Sequence, residues 1–416
     1  MDVTQVDRLR GDLAEFTADV FGSLTRSGWQ DRAGWYVRGL MLDGRRKSIQ
    51  PMAARLDGVD EQALNHFVTN SPWDVVPVRR RLAQAMDAAV TPVAWGVDDT
   101  GLLKSGTASA CVARQCTGTA GKVTNCQVAV SLNLVTDTAS CPVDWRLFVP
   151  EAWDPACPGA LEDVAQRRAD AGIAPDITHR PKWRLALDMI DEVTGWGVTA
   201  SLIVADSRYG DTAEFRPGLT ERGLSYVVQV TGQINAYPQR TVRTAPPYKG
   251  IGMHPRLRYR DPAPCLRDLV TGMGRGAART VTWRDGSRHR GGTPMPMRSR
   301  FVFARVRPAG HTMLHRYRGE DLPEAWLIAE WPAGAAEPVK YWLSNLPART
   351  SKQRLVQWAK PRWRIEHDYR EIKTGLGFDH YEGRTWQGWH HHATLVSAAH
   401  AFCTLQRLDP KAPAPQ

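Results

Sequence analysis

Val6, Leu9, Leu13, Phe16, Val20, Phe21 and Leu24 recur at helical spacing, so the chain is expected to open with helix. "SIQPMAARL", "DEQALNHFV" and "VPVRRRLAQAMDAA" follow as short helices separated by turn residues. Residues 1–90 therefore read as a helical N-terminal domain. Such a set can hold a helix-turn-helix, with Arg79, Arg80 and Arg81 on a DNA-backbone-contacting helix, and it is equally the ordinary makeup of a small bundle.

From residue 91 the hydrophobic pattern changes. "TPVAWGVDD" reads as a strand ending in two aspartates. "CQVAVSLNLV" alternates, with Val128, Val130, Leu132 and Leu134 on one side, and "VDWRLFV" makes a third strand. Helical segments are expected near 160–172 and 181–195. "ASLIVAD" is a continuous apolar run capped by Asp206, the pattern of a central strand buried on both faces. A helix near 213–222 and the strand "LSYVVQV" complete a mixed α/β sheet. Between 231 and 345, Pro, Gly and Arg are abundant around short strands such as "RFVFARVR" and the run "RLRYR". Helix resumes at "SKQRLVQWAK" and continues through Glu366 to about residue 408. The expected organisation is a catalytic core in two parts, 91–230 and 346–410, split by a β-rich insertion at 231–345, with a frayed tail at 411–416.

"RWRIEHDYREIKTG", residues 362–375, is unusually charged for a helix at a domain core. Wound at 100° per residue, Arg362, Glu366, Tyr369 and Lys373 share one narrow sector, beside an apolar stripe of Ile365, Ile372 and Leu376. Arg364, His367, Asp368 and Glu371 fall on the opposite, solvated side. An Arg and a Glu four apart ordinarily form a helix-surface pair of about 0.2–0.5 kcal/mol, so this helix alone does not identify a site.

Charge sharpens the picture. The net charge is +11, and residues 231–345 hold 19 Lys or Arg against 8 Asp or Glu, leaving the remainder of the chain neutral. A basic insertion on a neutral body favours a polyanionic partner such as nucleic acid, with Arg256, Arg258 and Arg260 of "RLRYR" as candidate contacts. No apolar run approaches the roughly 20 residues of a membrane span, and the first residues lack the apolar core of a signal peptide, so a cytoplasmic, nucleoid-associated protein is expected. The seven cysteines contain no C-x-x-C pair, which argues against a zinc ribbon or a disulfide framework. His390, His391 and His392 are consecutive and point in different directions on a helix, so they read as a helix start or surface feature rather than a metal site.

Asp98 or Asp99, Asp206 and Glu366 form a chemical set: carboxylates at two strand ends and one on a late helix. Three carboxylates brought together repel one another unless cations bind between them. Two Mg²⁺ ions suit hard oxygen donors and phosphate substrates, and such a pair serves phosphodiester chemistry.

Here the residues acquire a family. "RWRIEHDYREIKTG" resembles the C-terminal signature of bacterial insertion-sequence DDE transposases, Y-x2-R-x3-E-x6-K, with Arg362, Glu366 and Lys373 at the required spacings. "VDDTG" and "LIVADSRYGD" resemble the first and second aspartate motifs of the same family. The resemblance covers residues 91–408. It implies an RNase H-like fold, metal binding by Asp98, Asp206 and Glu366, and Mg²⁺ as cofactor with Mn²⁺ as a substitute. It also implies double-stranded DNA with terminal inverted repeats as substrate, a target DNA, and a homodimer that pairs two ends. Asp98 fits the pattern of strand, Asp, any residue, then Thr or Ser, with Asp99 as the alternative. Arg362 and Lys373 are then phosphate contacts, and Trp342 in "YWLSNLP" resembles a tryptophan that receives a flipped base. The chain departs from the pattern at Ala359, where the family has tyrosine, with Trp358 and Tyr369 as nearby substitutes. Two rival readings use the same residues: a non-catalytic DNA-binding descendant, and a host nuclease that cuts without strand transfer.

Overall fold

The computed structural model describes residues 3–118, 120–284 and 295–409; the expected tail at 411–416 lies outside them. In chain order the elements begin with helices α1 (Val3–Val20), α2 (Ser27–Met41), α3 (Ile49–Ala53), α4 (Glu61–Thr69) and α5 (Val75–Val90). Strands β1 (Ala94–Leu103), β2 (Ala113–Thr117), β3 (Lys122–Val135) and β4 (Ser140–Leu147) follow, then helices α6 (Val164–Asp170) and α7 (Lys182–Gly195). Next come β5 (Leu202–Ala205), α8 (Ser207–Gly210), α9 (Phe215–Glu221), β6 (Ser225–Val230), β7 (Ala236–Pro238) and α10 (Leu266–Met273). The remainder is β8 (Arg279–Arg284), β9 (Met297–Pro308), α11 (His311–Arg316), β10 (Ala325–Glu330), β11 (Lys340–Ser344), α12 (Lys352–Ala359), α13 (Trp363–Thr374) and α14 (Trp386–Leu408). Two compact units result, Met1–Ala200 with Trp363–Gln416, and Ser201–Arg362.

In the first unit β3 serves three partners. One edge pairs antiparallel with β1, from Ala94 opposite Val135 to Leu103 opposite Cys126. Its other edge pairs first with β2 and then with β4, with a register shift between Leu132 and Asn133. The sequence alternation suggested one buried face, yet every residue from Cys126 to Val135 is buried. The reason is that helices cover both faces: α7 and α13 both pack on β3, and the partners of Asp98 and Asp99 below place them on opposite sides.

Helix α14 is buried along most of its length and packs against α2, α4, α5 and β4. This corrects the surface reading of the histidine triplet. His391 and His392 are 1% and 0% exposed. The His391 ring stacks on Trp73 at 3.8 Å, and the His392 Nδ1 lies 2.9 Å from the Tyr36 hydroxyl. Burial lowers the pKa of His391 to about 4 and that of His392 to about 3, against the pull of backbone carbonyls such as those of Val68 and Trp73, each 2.8 Å from a His391 ring nitrogen, so both are core packing residues.

Arg79 is likewise corrected from a DNA-backbone candidate to a core residue. Its guanidinium, 2% exposed, donates to Asp144 Oδ1, the Trp145 carbonyl and Thr394 Oγ1, each at 2.8 Å, tying α5 to β4 and α14. Arg81 pairs with Asp19 at 2.7 Å, while Arg80 is exposed.

In the second unit β5 and β6 pair in parallel, and β6, β11, β10 and β9 continue as antiparallel neighbours, with β7 and β8 both on β9. All four residues of β5 are buried, as its continuous apolar run predicts. The mixed α/β class expected from the sequence is therefore the class observed, with helices leading the chain and antiparallel strands between β6 and α12. Among the described residues no helix is long and apolar enough to cross a membrane.

Candidate carboxylate site

Successive residues of a strand face opposite sides of the sheet, and directly opposed residues of an antiparallel pair face the same side. Those two rules separate Asp98 from Asp99. Asp98 stands opposite Ser131 in the β1–β3 register. The Ser131 hydroxyl meets the Tyr369 hydroxyl of α13 at 2.6 Å, so the Asp98 side of the sheet is the side α13 covers. Gly96, two residues earlier, agrees: a Cβ built there would lie 2.2 Å from the Ile365 Cδ1 of α13. Glycine is needed at this point to let the helix approach the strand. Asp99 faces the other way, where its Oδ2 accepts from Lys182 Nζ of α7 at 2.9 Å.

Helix α13 is fastened to β1 at two levels. Ile365 sits over Gly96, and Lys373 Nζ donates to the Gly101 carbonyl at 2.8 Å. Asp98 falls between these two contacts along the strand. On the helix, Ile365 and Ile372 are buried, as their apolar stripe predicts, while Glu366 is exposed beside Ile365. Asp98 is 6% exposed, and its Oδ1 accepts from the Asp99 backbone N–H at 2.8 Å. Burial lowers the Lys373 pKa to about 8, which still leaves most of its charge at neutral pH. One compact unit thus carries Asp98, Glu366 and Lys373 on a packed strand and helix.

Asp206 belongs to the other unit, directly after β5, where it caps α8. Its Oδ1 accepts from the backbone N–H groups of Arg208 at 3.0 Å and Tyr209 at 3.3 Å. This is the ordinary capping role of aspartate at a strand-to-helix turn, and it fixes the carboxylate at the strand's end. Arg362 is half-buried at the residue preceding α13, so the helix starts one position later than the sector drawn from sequence. Arg256, Arg258 and Arg260 are all exposed.

Trp342 is 3% exposed in β11, with Lys360 Nζ 5.4 Å from its ring centroid. The same ammonium lies 4.7 Å from the Trp283 centroid and donates to Glu330 Oε2 at 2.7 Å. Of the two substitutes for the tyrosine missing at Ala359, Tyr369 is the buried partner of Ser131, and Trp358 is half-buried with the Arg354 guanidinium 4.9 Å from its ring.

The opposite side of α13 departs from its sequence reading. Asp368, expected among solvated charges, is 2% exposed, with partners on both β4 and α14. Its Oδ2 accepts from the Ser140 hydroxyl, and its Oδ1 lies 3.8 Å from His400 Nε2. His367, Asp368 and Glu371 offer ligand atoms within 4.8 Å of one another. Glu371, however, already accepts from Arg407 through both oxygens and lies 3.4 Å from His400. Burial opposes ionisation of Glu371, but the paired bonds from Arg407 and the nearby His400 ring win and hold its pKa down to about 2. The cluster is an ion-paired latch between α13 and α14. Sequence alone gave no sign of it, since His400 and Arg407 lie on a separate helix.

Carboxylate oxygens, which Asp98, Asp206 and Glu366 each carry, are the type of donor that suits Mg²⁺ and Mn²⁺. A cavity of about 720 Å³ is an apolar groove lined chiefly by α1 and α2 and includes none of these carboxylates. A polar cavity of about 680 Å³ lies past the end of β1, lined by Arg45, Arg46, Lys104 and Arg384 among others.

Residues 19–290 match the family model described as DDE superfamily endonuclease, a span that includes Asp98 and Asp206 and ends before Glu366. A probable transposase for insertion sequence element IS701 from Microchaete diplosiphon is 29% identical over 196 residues, 46% of this chain and 46% of the relative. The alignment thus spans about half the length of that relative. Among solved structures, a piggyBac transposase synaptic complex with hairpin DNA aligns over 96% of this chain and 73% of that one, at 11% identity and a TM-score of 0.39.

Proposed function

The chain belongs to the DDE superfamily endonucleases, and from that premise we propose that it is an insertion-sequence transposase that cleaves DNA at the ends of its element and joins the freed 3′-hydroxyls to target DNA. The observation that carries this reading is the division of labour between neighbouring aspartates. Asp98 is turned to the α13 side of the sheet, where Glu366 is carried, while Asp99 is neutralised by Lys182 on the opposite side.

In this reading Asp98 and Glu366 are metal ligands, and Asp206 joins them on the strength of its sequence motif and its fixed position at the end of β5. Bound there, two Mg²⁺ ions, or Mn²⁺ in their place, would polarise the scissile phosphate and lower the pKa of the attacking oxygen. The protein supplies position and charge. Ile365 over Gly96 and Tyr369 on Ser131 hold the Glu366 helix at a fixed height on β1. Lys373, anchored on the Gly101 carbonyl, places a cation beside the strand that bears Asp98, where it offsets carboxylate repulsion and attracts phosphate. Arg362, immediately before α13, is a further phosphate contact in this reading. The substrate is double-stranded DNA bearing terminal inverted repeats, and a homodimer would pair the two ends.

The test is incubation of the purified protein with labelled DNA carrying the ends of its own element, with Mg²⁺ or with EDTA. Asp98→Asn, Asp99→Asn and Glu366→Gln are run beside the wild type. Mg²⁺-dependent cleavage and joining that are lost in Asp98→Asn and Glu366→Gln, and kept in Asp99→Asn, are expected. Cleavage without joined products would identify a nuclease instead, and binding without cleavage a DNA-binding descendant. Activity surviving Glu366→Gln would mean that the site lies elsewhere.

A further inference from the structure

The segment between β7 and α10 holds a surface feature that the carboxylate site does not use. Thr244 and Arg258 clamp the base of a loop through paired backbone hydrogen bonds of 3.0 and 3.1 Å. Beside the clamp, Tyr259 stacks on Tyr237 at 4.5 Å and joins the apolar cluster of Met313 and Leu322, so the loop is rooted in the unit. Its outer part is braced by Tyr248, which stacks on His254 at 4.1 Å and donates from its hydroxyl to the Gly252 carbonyl at 3.0 Å. Gly250 and Gly252, with φ of +79° and +83°, flank Ile251 and turn the chain sharply around it.

The consequence is an apolar tip on a charged loop. Ile251 is 90% exposed and Met253 is 80% exposed. Six cations and no carboxylate occur from 240 to 260. Lys249 adjoins the tip, and Arg256, Arg258 and Arg260 are exposed at alternate positions. An extended chain spaces alternate residues by about 6.7 Å, close to the axial rise of two nucleotides on one DNA strand. Exposing two bulky apolar side chains to water is unfavourable, and loops of this composition find a use where apolar side chains wedge between base steps while cations hold the flanking phosphates.

We propose that residues 244–260 form a DNA wedge, in which Lys249, Arg256 and Arg258 hold the phosphate backbone while Ile251 and Met253 press between neighbouring base pairs and unstack them. The proposal rests on the reading of this chain as a DNA-processing enzyme, but it concerns binding and requires no strand cleavage.

The experiment uses the full chain in EDTA with a short duplex that carries 2-aminopurine at flexible TA steps. Unstacking brightens the probe, and titration across salt concentrations gives the number of phosphate contacts. Wild type is expected to brighten the probe in EDTA, where no metal-dependent step can run, which separates this test from the fate of the catalytic reading. Ile251→Ser with Met253→Ser should abolish the brightening and weaken binding several-fold with an unchanged salt slope. Arg256→Gln with Arg258→Gln should lower that slope by about 2. All four positions are exposed, and unchanged thermal unfolding confirms that the variants fold. Absence of brightening in the wild type, or its persistence without Ile251 and Met253, would overturn the proposal. So would a parallel arm with phosphatidylglycerol vesicles in which the Ile251→Ser/Met253→Ser variant loses vesicle binding but not DNA binding, an outcome that would assign the loop to a membrane.

Discussion

The hydroxyls of Tyr369 and Ser131 meet at 2.6 Å, fastening the helix that carries Glu366 to the residue opposite Asp98. Ser131 also accepts from Asn133 Nδ2 at 2.7 Å, so the contact belongs to a buried polar chain. Tyr369→Phe leaves the ring in place and removes one bond. It should lower stability by about 1 kcal/mol in a urea titration and reduce DNA cleavage more than DNA binding. Equal loss of both would show that the contact does not position α13.

The close approach of α13 to β1 depends on Gly96. Gly96→Ala would drive a methyl group into the Cδ1 of Ile365, which is fully buried, at a cost of about 1–3 kcal/mol. Ile365→Val removes the Cδ1 that the new methyl meets. The double variant should therefore recover stability relative to Gly96→Ala, and additive losses in denaturant midpoints would count against direct contact.

Asp99 has a structural role on the far side of the sheet. Its bond to Lys182 is mostly shielded, with side-chain exposures of 7% and 24%. Asp99→Asn should cost about 1–2 kcal/mol in thermal or urea unfolding. DNA cleavage, followed at a temperature where the variant remains folded, should stay within about tenfold of wild type. A loss as complete as that of Asp98→Asn would exchange the roles of the two aspartates.

Arg79 connects three elements, and Asp144 beneath it is fully buried. Arg146 also reaches Asp144, at 2.9 Å, but from a more exposed position. Arg79→Met leaves the buried carboxylate with one cation fewer, so destabilisation of about 3–5 kcal/mol is expected. Nonspecific DNA affinity, measured under folded conditions, should be unchanged, whereas a drop in the salt slope would restore Arg79 as a phosphate contact.

The buried histidines make the protein acid-sensitive. Unfolded histidine titrates near 6.5, whereas burial lowers the pKa of His391 to about 4 in the fold. Between those values the unfolded chain takes up a proton that the folded chain refuses, so stability is full above pH 6.5 and declines as pH falls toward 4. His391 alone should account for a loss on the order of 3 kcal/mol across that window. Glu371, whose pKa is held near 2, adds a further loss as pH falls below the usual carboxylate range. Melting temperature measured against pH should fall less steeply between 6.5 and 4 in His391→Gln, with His392 keeping part of the slope, and an unaltered slope would contradict the lowered pKa of His391.

Local periodicity made most elements legible. The apolar run before Asp206 is a fully buried strand, "SKQRLVQWAK" is α12, and Ile365 and Ile372 face the core beside an exposed Glu366. These features follow from the spacing of side chains along one segment, which backbone geometry fixes without reference to the rest of the fold. The short strand β2 was not legible, because "ARQCT" has too few apolar positions to show a period.

By itself the sequence determined the mixed α/β class, the order of the carboxylate motifs and the concentration of positive charge in residues 231–345. Tertiary structure decided which side of β1 each aspartate serves, because that depends on the register with β3 and on which helix covers each face. It also decided that Asp368, Arg79, His391 and His392 are core residues, all of them polar groups whose partners lie on other elements. The physical reason is common to all four: a polar side chain enters a core when distant residues offer it hydrogen bonds or close packing, and no pattern within its own segment records those partners.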